Sequence, residues 1–218
     1  MQAEIFYAVC EIPNCRDTAC RVRASDNFRQ GSLSPACCNL NMEYKKRKQI
    51  RLKGYDYSQS GSYFITICTY NREMFFGTVE NGEVNLSEIG KIALEEILET
   101  NRIRNKFGVF INEFIIMPNH IHMIIQIVGT GCAMSANVQY ESFSKPTKQS
   151  VPTIVRAYKS AVTKKIREYE KTNVYIPYKI WQVRYYDHII RNKNEYSVFS
   201  RYIAENPWKW KEDCFYID

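Results

Sequence analysis

The sequence predicts an α+β fold: an antiparallel sheet, two helices between its strands, and a third helix near the C-terminal end. Three observations carry this. Residues 62–70 alternate in character and are rich in β-formers (Tyr63, Phe64, Ile65, Thr66, Ile67), the pattern of a strand. Segments 87–105 and 152–171 repeat apolar residues at helical spacing. Between them lie two apolar runs, 109–117 and 120–128, short enough to be buried strands.

Each element follows in order. In 75–86, Asn81-Gly82 separates two short runs, the signal of a tight hairpin. Ser87 can cap a helix with Ile89, Ile92, Ala93 and Ile97 on one face, ending near Asn105-Lys106-Phe107-Gly108. The two apolar strands meet around Pro118-Asn119. Residues 129–150 are rich in Gly, Ser, Thr and Lys and read as a long mobile loop. The 152–171 helix turns Ile154, Tyr158, Ala161, Val162 and Ile166 inward, and Arg156, Lys159, Lys164, Lys165, Arg167 and Lys171 outward. Residues 181–190 give a last strand. Tyr196, Phe199 and Ile203 then make the buried stripe of a final helix, which Pro207 should end at about Asn206. The order β-α-β-β-α-β is that of a ferredoxin-like sheet.

Composition fits one domain, or one domain plus an extension, in 218 residues with 45% hydrophobic content. No stretch approaches the length of a membrane span, and the start lacks the charge and apolar run of a signal peptide. No membrane partner is expected. The net charge of +7 suits a polyanionic partner. Residues 1–41 hold four basic and four acidic residues, so the whole excess lies in 42–218. They also hold Cys10, Cys15, Cys20, Cys37 and Cys38, five of the eight cysteines, without the Cys-x2-Cys spacing of a zinc site. Segment 1–41 therefore reads as an extension, either disordered or upstream of a true start at Met42. Cys68, Cys132 and Cys214 are scattered, as in reduced thiols of a bacterial cytoplasmic protein.

The chemistry concentrates in residues 117–126, Met-Pro-Asn-His-Ile-His-Met-Ile-Ile-Gln, which contain two of the three histidines. On a strand, positions i and i+2 share a face. His120 and His122 therefore project side by side and can share one divalent cation. The plainer alternative is a pair of polar residues bonded to backbone at a strand end. On the last helix Tyr202 lies at the rim of the buried stripe, and Asn206 is four residues on, hence on the same face. Here too a plain reading exists, a half-buried tyrosine and a helix C-terminal asparagine.

Together these segments resemble a known family. Residues 50–57 (Ile-Arg-Leu-Lys-Gly-Tyr-Asp-Tyr), 63–69 (Tyr-Phe-Ile-Thr-Ile-Cys-Thr), Met117-Pro118-Asn119-His120-Ile121-His122, Trp181-Gln182 with 186–191 (Tyr-Asp-His-Ile-Ile-Arg), and Tyr202-Ile203-Ala204-Glu205-Asn206-Pro207 stand in the order and spacing of IS200-type single-tyrosine transposases. These belong to the His-hydrophobe-His nuclease superfamily, and the nearer likeness is to the REP-associated branch. The resemblance covers about residues 42–218. It implies a ferredoxin-like sheet whose C-terminal helix carries a catalytic tyrosine, Tyr202. It implies cleavage and rejoining of single-stranded or hairpin DNA through a 5′-phosphotyrosine link with a free 3′-hydroxyl. It implies Mg2+ or Mn2+ on His120, His122 and Asn206, and a monomer or homodimer. Asn206 is shorter than the glutamine of several relatives. A replication-initiator or relaxase-type nickase, and a DNA-binding protein without cleavage, are the alternative readings.

The third histidine, His188, reads as a strand-end residue bonded to Asp187 or backbone, with a supporting role at the site as its functional alternative. Lys45, Lys46, Arg47, Lys48, Arg51 and Lys53 place six basic residues in nine, followed by Tyr55 and Tyr57. Charge interleaved with aromatics suits phosphates and unstacked bases of DNA, and Arg156 and Lys159 add a second basic face. Replacing Lys45, Lys46, Arg47 and Lys48 with alanine should weaken binding to hairpin-bearing single strands. The log–log salt slope should fall by roughly 0.7 for each phosphate that is no longer neutralised. An unchanged slope would reduce the run to a solvated tail.

Overall fold

The computed structural model describes residues 51–52, 54–129, 149–170 and 179–217. Six strands and three helices are formed among them: β1 (Gly61–Cys68), β2 (Gly77–Glu80), β3 (Glu83–Leu86), α1 (Glu88–Asn105), β4 (Val109–Met117), β5 (His120–Ile127), α2 (Val151–Glu170), β6 (Tyr186–Ile190) and α3 (Lys193–Glu205). The fold is α+β. Its main sheet runs β4-β5-β1-β6, and each neighbouring pair is antiparallel. The β2–β3 pair is a separate hairpin.

Alternation along β1 sets the layers. Tyr63, Ile65 and Ile67 are buried with Ile121, Met123 and Ile125 of β5 against the apolar stripes of α1 and α2. Phe64 and Ile124, one step out of phase, pack with Ile203 of α3 on the opposite face. A period of two in the strands thus sends one set of residues to the main core and the other to α3. Register places Cys68 opposite His120, Thr66 opposite His122 and Phe64 opposite Ile124. His120 and His122 therefore belong to the α3 face.

Local signals explain the element ends. Asn81 and Gly82 both have positive φ, 52° and 79°, as a two-residue hairpin turn of primed type requires. Ser87 caps α1, its Oγ accepting from the Gly90 N–H at 3.1 Å. Asn192 does the same for α3, accepting from the Glu195 N–H at 2.8 Å. The 152–171 helix is shifted by one residue, and Ala161 on it is only half-buried. The last strand is shorter than the expected 181–190. Trp181 makes a single bridge to Thr69, and its indole N–H donates to the Lys159 carbonyl and Thr163 hydroxyl of α2. The Gln182 N–H also donates to the Cys68 carbonyl at 3.0 Å, so the break before β6 falls at residues 183–185. The extension 1–41, Lys45, Lys46, Arg47, Lys48, Lys53 and most of the 129–150 loop lie outside the described residues.

One close approach is testable. A Cβ at Gly90 would stand 2.1 Å from the Phe76 carbonyl oxygen, which is backbone and cannot swing aside. Gly90→Ala would gain about 1 kcal/mol of helix propensity. Forcing α1 away from the Phe76 backbone should cost about 1–3 kcal/mol. The variant should therefore unfold at lower urea than the parent. A raised midpoint would show that α1 slides without cost.

Candidate active site

The β4–β5 turn is two residues long, Pro118 and Asn119, and its polar groups are engaged. The Pro118 carbonyl accepts from the Phe76 N–H at 3.0 Å. The Asn119 carbonyl accepts from the Thr69 N–H at 2.9 Å and the Thr69 hydroxyl at 3.0 Å. Asn119 is fully buried. Its Nδ2 donates to the Phe215 carbonyl at 2.8 Å, which fixes the amide orientation. Its Oδ1 then lies 2.9 Å from His120 Nδ1. An amide oxygen only accepts, so Nδ1 carries the proton and Nε2 of His120 presents a lone pair. His122 Nδ1 is likewise engaged, 2.8 Å from the Thr66 hydroxyl across the β1–β5 ladder.

The two rings stand 4.4 Å apart between centroids and are 0% and 1% exposed. Their Nε2 atoms are buried without a hydrogen-bond partner among the described residues. Burial, with Arg72 adding to it, pushes His120 down to about 3. Burial and the neighbouring His120 hold His122 well below the ordinary histidine range, against the opposing pull of Asp213. Both imidazoles are thus neutral, the form that ligates metals. A buried polar atom left unpaired costs about 1–3 kcal/mol, and two such lone pairs on neighbouring rings could be satisfied by one shared cation.

The α3 side supplies the rest. The Tyr202 ring lies 5.0 Å from that of His122 and edge-on to Phe64. Asn206 retains helical backbone angles (φ −55°, ψ −41°) in spite of the following proline, so its side chain stays on the Tyr202 face. It is 2% exposed, and its Oδ1 has no hydrogen-bond partner among the described residues. Its Nδ2 donates to Asp213 Oδ2 at 2.6 Å, and the Tyr202 hydroxyl donates to the same oxygen at 3.3 Å. A ring nitrogen of each histidine and a carboxylate oxygen of Asp213 fall within 4.8 Å of one another. Trp210 and Phe215 cover His120, with ring centroids at 5.9 and 4.6 Å.

The structure thus gathers His120, His122, Tyr202 and Asn206 into one patch and leaves the other candidates elsewhere. His188 shares the α3 face, but its Nε2 meets Glu195 Oε1 at 2.6 Å and its ring packs on Phe199. Its partner is Glu195, not Asp187, because Asp187 alternates to the other face. Tyr57 is 2% exposed and packs against Tyr55 and Tyr63. Its hydroxyl accepts from the Leu52 N–H. The expectation that Tyr57 stacks on DNA bases is therefore corrected, while Tyr55 is only half-buried. Arg51 lies over the Tyr185 ring at 5.1 Å.

The basic face of α2 is mostly paired within the protein. Lys165 pairs with Glu96 at 2.7 Å and Glu95 at 3.6 Å, Arg167 with Glu170 at 2.6 Å, and Lys164 with Glu168 at 4.0 Å. Lys159 donates to the Gln182 and Arg184 carbonyls at 2.8 and 3.3 Å, and burial lowers it to about 8. Its ammonium is turned into the protein rather than offered to a phosphate. Arg156 is exposed, on the helix that covers the sheet face opposite the histidines.

Asp213, Asn119 and Thr66 are site residues that the sequence reading did not single out. Asp213 lies seven residues beyond Asn206 in an irregular segment. Thr66 carries no signal apart from a strand register that sequence does not supply. Asn119 had one, since it sits directly before the first histidine.

No protein-family model matches this sequence. The chain is 37% identical over 177 residues to an uncharacterized protein of Haemophilus influenzae (strain ATCC 51907 / DSM 11121 / KW20 / Rd), covering 79% of this chain and 94% of that one. This chain belongs to that protein's family. Among solved structures, a REP-associated tyrosine transposase bound to a REP hairpin aligns over 72% of each chain, at 20% identity and a TM-score of 0.48. At that score the likeness carries no argument, and the reading of this chain's chemistry rests on the geometry above.

Asn119→Ala removes both the His120 anchor and the tie to Phe215. It should cost about 1–3 kcal/mol of stability in urea and speed limited proteolysis within 208–217. Unchanged cleavage there would show that Asn119 does not hold the C-terminal segment.

Proposed function

We propose that this protein is a metal-dependent single-strand DNA transesterase of the single-tyrosine transposase type, with Tyr202 as nucleophile and His120, His122 and Asn206 as metal ligands. The observation that carries this reading is the meeting of three unpaired, buried lone-pair atoms with a tyrosine hydroxyl in one patch: two imidazole Nε2 atoms, one amide oxygen, and Tyr202 within a carboxylate's reach of them. These donors fit a divalent cation, since neutral imidazoles and amide oxygens suit Mn2+ and, less well, Mg2+. Such an ion would neutralise charge on a scissile phosphate. The sheet order β4-β5-β1-β6 supports a ferredoxin-like frame with α3 as the tyrosine helix.

The chain's own residues do the following on this reading. Phe64 and His122 hold the Tyr202 ring in place, which lowers the entropic cost of in-line attack. The Tyr202 oxygen bonds to phosphorus as the bond from phosphorus to the 3′-oxygen breaks. The tyrosine proton is lost to solvent base, and the departing 3′-oxygen gains one. One phosphate ester replaces another, so the bond energy is kept for rejoining without ATP. The net charge of +7 and the basic segment ahead of β1 support single-stranded or hairpin DNA as substrate.

The test is a denaturing gel for protein–DNA adducts on single-stranded hairpin oligonucleotides with Mn2+. The parent should form an adduct that EDTA prevents. Tyr202→Phe, which removes one oxygen, should abolish it with DNA affinity nearly unchanged. Adduct formation by the phenylalanine variant would move the nucleophile to another tyrosine. Full activity in chelator would leave the histidines structural. Binding without any adduct would favour a DNA-binding protein that does not cleave.

A further inference from the structure

We propose that Asp213 is itself a metal ligand, so that the segment after α3 completes the cation site. This rests on the metal reading above and adds to it a residue outside the His120–His122–Asn206 set. The first support is position. Two ligands held at about 2.2 Å from one ion lie at most about 4.4 Å apart, and the histidine nitrogens and the Asp213 oxygen already fall within 4.8 Å. Among the described residues this is the one group of three or more such side chains near enough to hold a metal ion.

The second support is charge. The imidazoles are neutral and all but unexposed, and Asn206 is an uncharged amide 2% exposed. A dication buried among neutral ligands alone is costly, and a carboxylate in the same shell offsets that cost. A carboxylate oxygen also suits Mn2+ and Mg2+ better than a further nitrogen would.

The third support is that the hydrogen bonds holding the segment around Asp213 are made by groups other than the histidine side chains. Its Oδ1 accepts from the Phe215 N–H at 2.8 Å. The next carbonyl, of Cys214, accepts from Arg72 at 3.0 Å, and the Phe215 carbonyl accepts from Asn119 at 2.8 Å. Residues 213–215 are thus tied to the turn that follows β1 and to the β4–β5 turn. The hydrogen bonds from Asn206 and Tyr202 to Oδ2 do not compete with this role. Metal-bound carboxylates ordinarily accept such bonds, which orient them. The rival role for Asp213 is to position Asn206 and Tyr202 without touching the ion.

Metal binding by the full chain without DNA tests whether Asp213 matters to the site at all, and a metal-soaked crystal separates the two roles. Mn2+ is titrated in, and the free ion is followed by its paramagnetic resonance signal. The parent should take up one Mn2+, and His120→Ala with His122→Ala should abolish uptake. Asp213→Asn keeps the shape and the Phe215 bond but removes the charge and the Oδ2 acceptor of the Asn206 and Tyr202 bonds. It should weaken uptake at least about tenfold in either role, and the soaked crystal tells a ligand from a positioning residue. Parent-like affinity in Asp213→Asn, with no uptake by the double histidine variant, would overturn the role of Asp213 and leave the metal reading standing. No uptake by the parent would sink both. A crystal of the parent soaked in Mn2+ gives a readout independent of any variant's folding. The anomalous peak should lie about 2.0–2.3 Å from an Asp213 oxygen. A peak on the imidazoles with Asp213 beyond reach would overturn the proposal.

Discussion

The Asn119 side chain joins parts of the chain that are far apart in sequence. Its oxygen receives the His120 ring, its nitrogen holds the Phe215 carbonyl, and its own carbonyl takes two bonds from Thr69. One residue therefore sets the tautomer of a histidine, the tightness of the β4–β5 turn and the course of the C-terminal segment. Asn119, His120 and Thr69 are buried, so these bonds are made in low dielectric, where an unmade partner is costly. Both residues of the β4–β5 turn are thereby tied to other parts of the chain, which fixes where the strand presenting the histidines begins.

The sheet divides labour between its faces. On one side α1 and α2 cover Tyr63, Ile65, Ile67, Ile121, Met123 and Ile125, and this cluster supplies most of the apolar burial. On the other side the buried apolar cluster is small: Phe64, Ile124, Ile190 and Ile203 with a rim of Tyr196, Phe199 and Tyr202. Polar residues take further positions of that face, Thr66 and the two histidines among them. A fold stabilised chiefly through one face can carry unsatisfied groups on the other without unfolding. Separation by strand alternation is what makes this possible within two adjacent strands.

The parts of this architecture that depend on local rules were legible in the sequence. The period-two run of β1, the Asn-Gly turn, the Ser87 cap and the stripe of α3 each follow from residues within one turn or one hairpin. Same-face placement of His120 and His122 follows from the same rule. Illegible features depend on pairings across the chain. Thr66 meets His122 only because β1 and β5 pair in one register, and a shift of one residue would bring Ile65 or Ile67 there instead. Asp213 reaches the site because the chain turns back after Pro207 and is caught by Arg72 and Asn119. Tyr57 looked like a base-stacking residue because aromatics beside lysines and arginines suit both an interface and a core edge. The packing of Tyr55 and Tyr63 around it decided for the core.

The same packing sets a condition on the proposed chemistry. A phosphate oxygen must come within bonding distance of whatever the Nε2 atoms hold, yet both rings are shielded, with Phe215 and Trp210 against His120. On that reading, the closed arrangement described here cannot also be the one that engages DNA. The groups that would have to yield are the Phe215 and Trp210 rings that lie against His120. These are small relative to the apolar core on the far face, so opening the segment need not disturb the sheet. If Asp213 also ligates the ion, the backbone bonds that tie 213–215 to Arg72 and Asn119 stay while the Phe215 ring turns aside. On the proposed chemistry, the closed and DNA-engaging arrangements differ by the positions of the rings that cover His120 rather than by a rearrangement of the fold.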